Sequence, residues 1–130
     1  MRLFLDSCLV IYLVEQIEPW RTRVEAALRA ARFERLVISE LVRMECLVGP
    51  FKTGDVRVEH AFLTFFEGCE MAPILPSTFD LAAHIRADYG LKTPDALHLA
   101  VAVESRCDEL WTNDDRFARA ATNIVIRAIV

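Results

Sequence analysis

The stretch Arg2-Leu3-Phe4-Leu5-Asp6-Ser7-Cys8-Leu9-Val10-Ile11 sets two apolar runs around a single acid. Residues 2–5 are too few for a helix and read as a short buried strand, after which Asp6 is placed to cap a helix over about 7–15. The same handover from strand to helix recurs along the chain. Pro19 suits the first turn of a second helix reaching about residue 33. Residues 35–38 form another short strand. Ser39 then caps a helix carrying Leu41, Met44, Glu45 and Val48 on one face, and Gly49-Pro50 is expected to stop it. A helix over about 54–67 carries Val58, Ala61, Phe62, Phe65 and Phe66, and residues 70–75 supply a short strand. Ser77 with Asp80 resembles a capping box opening a helix to about 89, closed by Gly90. Thr93 as cap and Pro94 at the first helical position open the next helix. Residues 109–112 and 123–128 read as the last two strands, with a short helix between them.

This alternation implies a mostly parallel, short-stranded sheet in a three-layer α/β/α sandwich. In such sheets ligands gather outside the carboxyl ends of the strands. Asp6 directly follows the first strand, and Asp114 follows the strand ending at Thr112, so two acids are expected at one edge of the sheet.

The chain has 130 residues, enough for one core, and no repeat or Pro/Gly-rich linker divides it, so residues 1–130 are expected to form one domain. With 54% hydrophobic and 26% charged residues the composition is that of a globular protein rather than a disordered one. The apolar run Cys8–Val14 is far too short to span a membrane. Asp6 also interrupts the stretch after Arg2, which argues against a secretory signal and for a cytoplasmic protein. The four cysteines, Cys8, Cys46, Cys69 and Cys107, form no C-x-x-C pair and read as reduced thiols rather than zinc ligands. The net charge of -4 does not suggest a basic nucleic-acid surface. However, 13 of the 15 basic residues are Arg, the better phosphate fork, and acids that hold divalent cations would not leave their site negative.

Singly, each acid has an ordinary reading. Asp6 caps a helix, Asp95 favours the positive end of a helix dipole, and Asp114 or Asp115 caps the short helix containing Phe117. Glu45 is harder to dismiss, because Leu41 and Val42 place it beside an apolar stripe where an unpaired carboxylate is costly. Together they could converge on one hard cation such as Mg2+ or Mn2+, which takes oxygen ligands. Without a cation they would repel by about 4 kcal/mol per close, partly screened pair. The chemistry that such a cluster suits is phosphodiester hydrolysis.

Four segments carry a family resemblance: Leu3-Phe4-Leu5-Asp6-Ser7; Ile38-Ser39-Glu40-Leu41-Val42-Arg43-Met44-Glu45; Gly90-Leu91-Lys92-Thr93-Pro94-Asp95-Ala96-Leu97-His98-Leu99-Ala100; and Leu110-Trp111-Thr112-Asn113-Asp114-Asp115-Arg116-Phe117. In this order and spacing the sequence resembles a PIN domain, and more closely the VapC toxins of bacterial toxin–antitoxin pairs. The third segment is the most specific. The resemblance implies a Mg- or Mn-dependent endoribonuclease acting on a cellular RNA, a small VapB-like antitoxin that blocks the site, and a homodimer. It assigns Asp6, Glu45, Asp95 and Asp114 to the metal site, with Asp115 as second choice to Asp114. Ser7, Thr112 and Asn113 carry over as neighbours that hydrogen-bond the carboxylates or bound waters.

His98 shares a helix face with Asp95 three residues earlier and reads as a packed neighbour of the site rather than a ligand. His84, four residues from both Asp80 and Asp88, suits a surface ion pair, and His60 a surface position. The Phe62, Phe65 and Phe66 stripe reads as core, or in part as a partner contact with Trp20. Arg21, Arg23, Arg29, Arg32 and Arg35 read as a solvated face or a phosphate-contacting rim. Two rival classes stand beside the nuclease. One is a non-catalytic PIN-like module that binds RNA or protein. The other, a phosphatase of the haloacid-dehalogenase kind, requires an Asp where position 8 is Cys.

Overall fold

The computed structural model describes residues 1–120 and 123–129. Among these, five short strands form one all-parallel sheet: β1 (Arg2–Leu5), β2 (Arg35–Ser39), β3 (Glu70–Ala72), β4 (Glu109–Thr112) and β5 (Val125–Ala128), in the order β3-β2-β1-β4-β5. Helices α1 (Ser7–Val14) and α2 (Trp20–Ala30) join β1 to β2, and α3 (Glu40–Thr53) and α4 (Val56–Glu67) join β2 to β3. Helices α5 (Pro76–Tyr89) and α6 (Thr93–Glu104) return the chain across the sheet to β4, and a 3-10 turn, Asp115–Arg119, leads to β5. Right-handed crossovers put α1–α4 on one face and α5 and α6 on the other, because the direction of travel along the sheet reverses after β3. The expected three-layer α/β/α sandwich is therefore the observed fold.

The strands are apolar on both faces because helices cover both. Leu3, Phe4, Leu5, Val37, Ile38, Leu110 and Trp111 are all fully buried and join the helices in one core cluster. Phe62 and Phe66 stack within that core, whereas Phe65 is half-buried beside Leu13, Val14 and Leu28. Trp20 stacks on Tyr12 across α1 and α2. All four cysteines are free thiols, as their spacing suggested, and burial pushes Cys8 up to about 12. His84 and His60 are exposed, and no ion pair joins His84 to Asp80 or Asp88. Of the Arg series, Arg21 and Arg29 both pair with Glu25 along α2.

Several boundaries differ from the sequence expectation. Helix α3 does not stop at Gly49-Pro50; it carries Pro50 inside and ends at Thr53. Proline forfeits only its own N–H, and its carbonyl still accepts from the backbone of Gly54 and Asp55. Gly54, at φ 70, makes the left-handed turn that finishes the helix. Helix α2 starts at Trp20 and ends at Ala30, short of residue 33. Ser77 and Asp80 do not cap α5. The helix opens at Pro76, and the Thr78 hydroxyl oxygen accepts from the Leu75 N–H at 2.9 Å. Thr93 is the first residue of α6 rather than its cap, a position held by Lys92. Proline within the first turn fixes the helical φ for both starts, so neither needs a side-chain cap of the expected kind.

Because Phe4 is fully buried at the centre of the sheet, Phe4→Ala should cost about 3–5 kcal/mol in urea denaturation. Val56→Ala, at a residue 72% exposed, should stay within about 0.5 kcal/mol.

Candidate active site

The sheet order reverses at β1, whose neighbours β2 and β4 are reached in opposite directions. Such a switch point leaves a crevice at the carboxyl ends of the strands. Leu5 lies opposite Trp111, and one further ladder bond, from the Asp6 N–H to the Trp111 carbonyl at 3.0 Å, carries the pairing into the crevice. The register therefore sets Asp6 beside Thr112. Asp6 caps α1, with the Ser7 N–H donating to Oδ1 at 2.7 Å. The Thr112 hydroxyl donates to Oδ2 at 2.7 Å, and the Ser7 hydroxyl reaches Oδ1 at 3.4 Å. Both carboxylate oxygens are thus oriented before any ligand arrives. The capping role and the site role of Asp6 coexist.

Glu45 projects from the middle of α3 and meets His98 of α6, whose Nε2 lies 2.6 Å from Glu45 Oε1 and 3.5 Å from Asp6 Oδ1. His98 is 1% exposed, and its Nδ1 has no hydrogen-bond partner. Burial would depress this imidazole, but the Glu45 hydrogen bond and the charges of Asp6, Glu45 and Asp95 outweigh it and hold it above the usual histidine value. Burial likewise works to raise Glu45, but the hydrogen bond and charge of His98 prevail and hold the carboxyl below its usual range. Asp6, Glu45 and His98 present ligand atoms within 4.8 Å of one another, the closest such grouping among the described residues. Sequence reasoning placed His98 near the site but gave it no contact. The signal was a polar side chain in the middle of the apolar run Ala96-Leu97-His98-Leu99-Ala100, where burial demands a partner.

Asp95 and Asp114 stand on the wall of an adjoining cavity of about 240 Å³, which Tyr89, Gly90, Leu91, Lys92 and Arg116 complete. Asp95 sits half-buried in the first turn of α6, where the helix dipole favours an anion. Even so, burial first, and then the charges of Asp6, Asp114 and Glu45, raise its carboxyl above the ordinary range, with His98 opposing them. The charges of the other three acids thus reach Asp95, although Asp95 and Asp114 do not join the grouping of Asp6, Glu45 and His98. Asp114 caps the 3-10 turn and is held by Arg116, which lowers its pKa. Asp115 is exposed and does not line the cavity, which separates it from Asp114. Asn113 does not hydrogen-bond a carboxylate; its amide donates to the Tyr12 hydroxyl at 2.8 Å. The chain bends at Asn113, where the Thr112 hydroxyl accepts from the Asp114 N–H at 3.3 Å, and the Asn113 amide leaves the acids for Tyr12.

The residues fit a hard divalent ion. The donor set is mainly carboxylate oxygen, the groups are preoriented, and the mutual repulsion registered at Asp95 is what a cation would relieve.

The PIN domain family matches residues 3–123 of this chain. No curated protein matches it by sequence. Among solved structures, a toxin–antitoxin complex from Klebsiella pneumoniae is similar at 26% identity and a TM-score of 0.78, with 96% of each chain covered. VapBC-1 from nontypeable Haemophilus influenzae shares the fold at 17% identity and a TM-score of 0.77, covering 98% of both chains. The sarcin-ricin loop-cleaving toxin VapC20 of Mycobacterium tuberculosis does so at 14% identity and 0.75, over 94% of this chain and 98% of that one. With four acids at the switch point of the matching sheet and a family match over nearly its whole length, this chain belongs to the PIN domain family.

Proposed function

We propose that this chain is a divalent-metal-dependent endoribonuclease, the toxin of a toxin–antitoxin pair, working in the cytoplasm as a homodimer built from one domain per chain. The observation that carries the reading is the gathering of Asp6, Glu45 and His98 within 4.8 Å beside a cavity lined by Asp95 and Asp114, with Asp95 raised by burial and then by the charges of the other three acids. Like charges that raise one another's cost of ionisation are best explained by a cation they serve. The antitoxin partner is supported by likeness to toxin–antitoxin complexes, and the RNA substrate by likeness to a toxin that cleaves the sarcin-ricin loop. No described helix is long and apolar enough to cross a membrane.

In this reading Asp6, Glu45, Asp95 and Asp114 hold Mg2+ or Mn2+, which would supply an acidified water and offset the charge on the scissile phosphate. The chain's own residues prepare that site. Thr112 and Ser7 fix the orientation of Asp6, and His98 fixes Glu45 while partly neutralising both acids. Lys92 and Arg116 give the cavity lining two exposed cations. No side chain serves as a covalent nucleophile.

Purified protein freed of antitoxin should cleave RNA with Mn2+ or Mg2+, and Asp95→Asn should lower the rate by at least about 100-fold. A variant that cleaves like the parent would contradict the assignment, and metal binding without any cleavage would favour a non-catalytic PIN module.

The raised Asp95 also sets a pH dependence. A carboxyl with a folded pKa above its unfolded value binds its proton more readily in the native state. Stability is then lost as pH rises from the ordinary carboxylate value through the raised one. In EDTA at neutral pH, Asp95→Asn should therefore melt no lower than the parent, and up to about 4 °C higher. A clear loss of Tm would show that Asp95 serves stability instead.

A further inference from the structure

Among the described residues, Asp114 is the one of the four acids in this site that an arginine grips; Asp6 and Glu45 face His98 instead. The Arg116 Nε donates to Oδ1 at 3.1 Å and to Oδ2 at 3.2 Å, and Nη2 donates to Oδ2 at 2.8 Å. The backbone N–H of Arg116 adds a bond to Oδ1 at 2.9 Å. One guanidinium thus occupies both oxygens that a metal would need. The grip is not a buried structural pair: the Arg116 side chain is 66% exposed and that of Asp114 26%. Exposed pairs of this kind are weak and exchange easily.

Both residues line the cavity that also holds Asp95 and Lys92. A guanidinium fork matches a phosphate as well as it matches a carboxylate. We propose that Arg116 is a resident counter-ion that blocks Asp114 in the cation-free protein and passes to a phosphate of the bound RNA when Asp114 turns to the metal. This rests on the nuclease reading above. The exchange keeps charge balanced at each stage. Before loading, the guanidinium offsets one of the crowded acids; after loading, the divalent ion takes over that task, and the freed guanidinium meets the anion that arrives with the substrate. Arg116 thereby couples occupation of the metal site to grip on the RNA backbone, and in the empty protein it competes with the metal. The turn itself does not depend on the side chain, because the backbone N–H that Asp114 caps remains when Arg116 is truncated.

The test compares the parent chain, Arg116→Ala and Arg116→Lys, each stripped of metal. The first readout is the Mn2+ dissociation constant, followed by the electron paramagnetic resonance of free Mn2+. The second is the steady-state cleavage of a mixed-sequence single-stranded RNA across a salt series. Arg116→Ala should bind Mn2+ about 2–5-fold more tightly, since a weak competitor is gone. It should also raise KM about tenfold with kcat changed far less. The slope of log kcat/KM against log salt should fall by about 0.7, the value of one lost phosphate contact on a single strand. Arg116→Lys, which keeps the charge and loses the fork, should lie between. Mn2+ affinity that is unchanged or weaker in Arg116→Ala overturns the blocking role, and an unchanged KM and salt slope overturns the transfer to phosphate. A parent chain that binds no Mn2+ overturns the site reading itself, and the two failures are told apart by that control.

Discussion

The pairing of β1 with β4 is the constraint on which the rest of the molecule depends. It lies where the sheet order reverses, and its last bond, from the Asp6 N–H to the Trp111 carbonyl, sets the first acid beside Thr112 at the crevice. A slip of one residue would turn Asp6 and Thr112 to opposite sides, and the hydrogen bond to Oδ2 would not form. The fully buried Leu3, Phe4, Leu5, Leu110 and Trp111 make such a slip expensive, because it would drive each of them into a differently shaped layer. The apolar strands are thus what holds a polar site in register.

From that fixed point the site is a contest between repulsion and relief. Four carboxylates stand after β1, on α3, on α6 and in the turn after β4, and burial together with the charges of the other three raises Asp95. His98 relieves part of it at Glu45 and Asp6, Arg116 relieves part of it at Asp114, and the start of α6 favours Asp95. None of these neutralises the whole. The arrangement remains short of positive charge near Asp95, and a divalent ion is the simplest group to supply it. The net charge of -4 therefore does not weigh against a polyanionic substrate, since part of the acidity belongs to the site itself.

Much of this was legible in the sequence. The strand assignments rested on short apolar runs between turns, and the edge on which Asp6 and Asp114 meet followed from parallel topology alone. What was misread has specific causes. Gly49-Pro50 looked like a stop, but a proline three residues from a helix end loses little when a left-handed glycine follows at position 54. Ser77 and Thr93 looked like caps, but prolines at 76 and 94 made side-chain caps unnecessary. Asn113 was expected at the acids, and the bend that follows β4 sends it to Tyr12 instead. His98 was undervalued because helical spacing tied it to Asp95, whereas its contact is with Glu45, 53 positions away on another helix. Spacing within an element reports neighbours on that element only; the closing contact came from tertiary packing.

The most direct measurement of the central claim is the anomalous scattering of a crystal of this protein grown with Mn2+. The account predicts an anomalous peak in the crevice between β1 and β4, within about 2.0–2.6 Å of carboxylate oxygens from Asp6 and Asp95, with Glu45 and Asp114 around it. A crystal holding Mn2+ elsewhere, with no peak among these four acids, would contradict it.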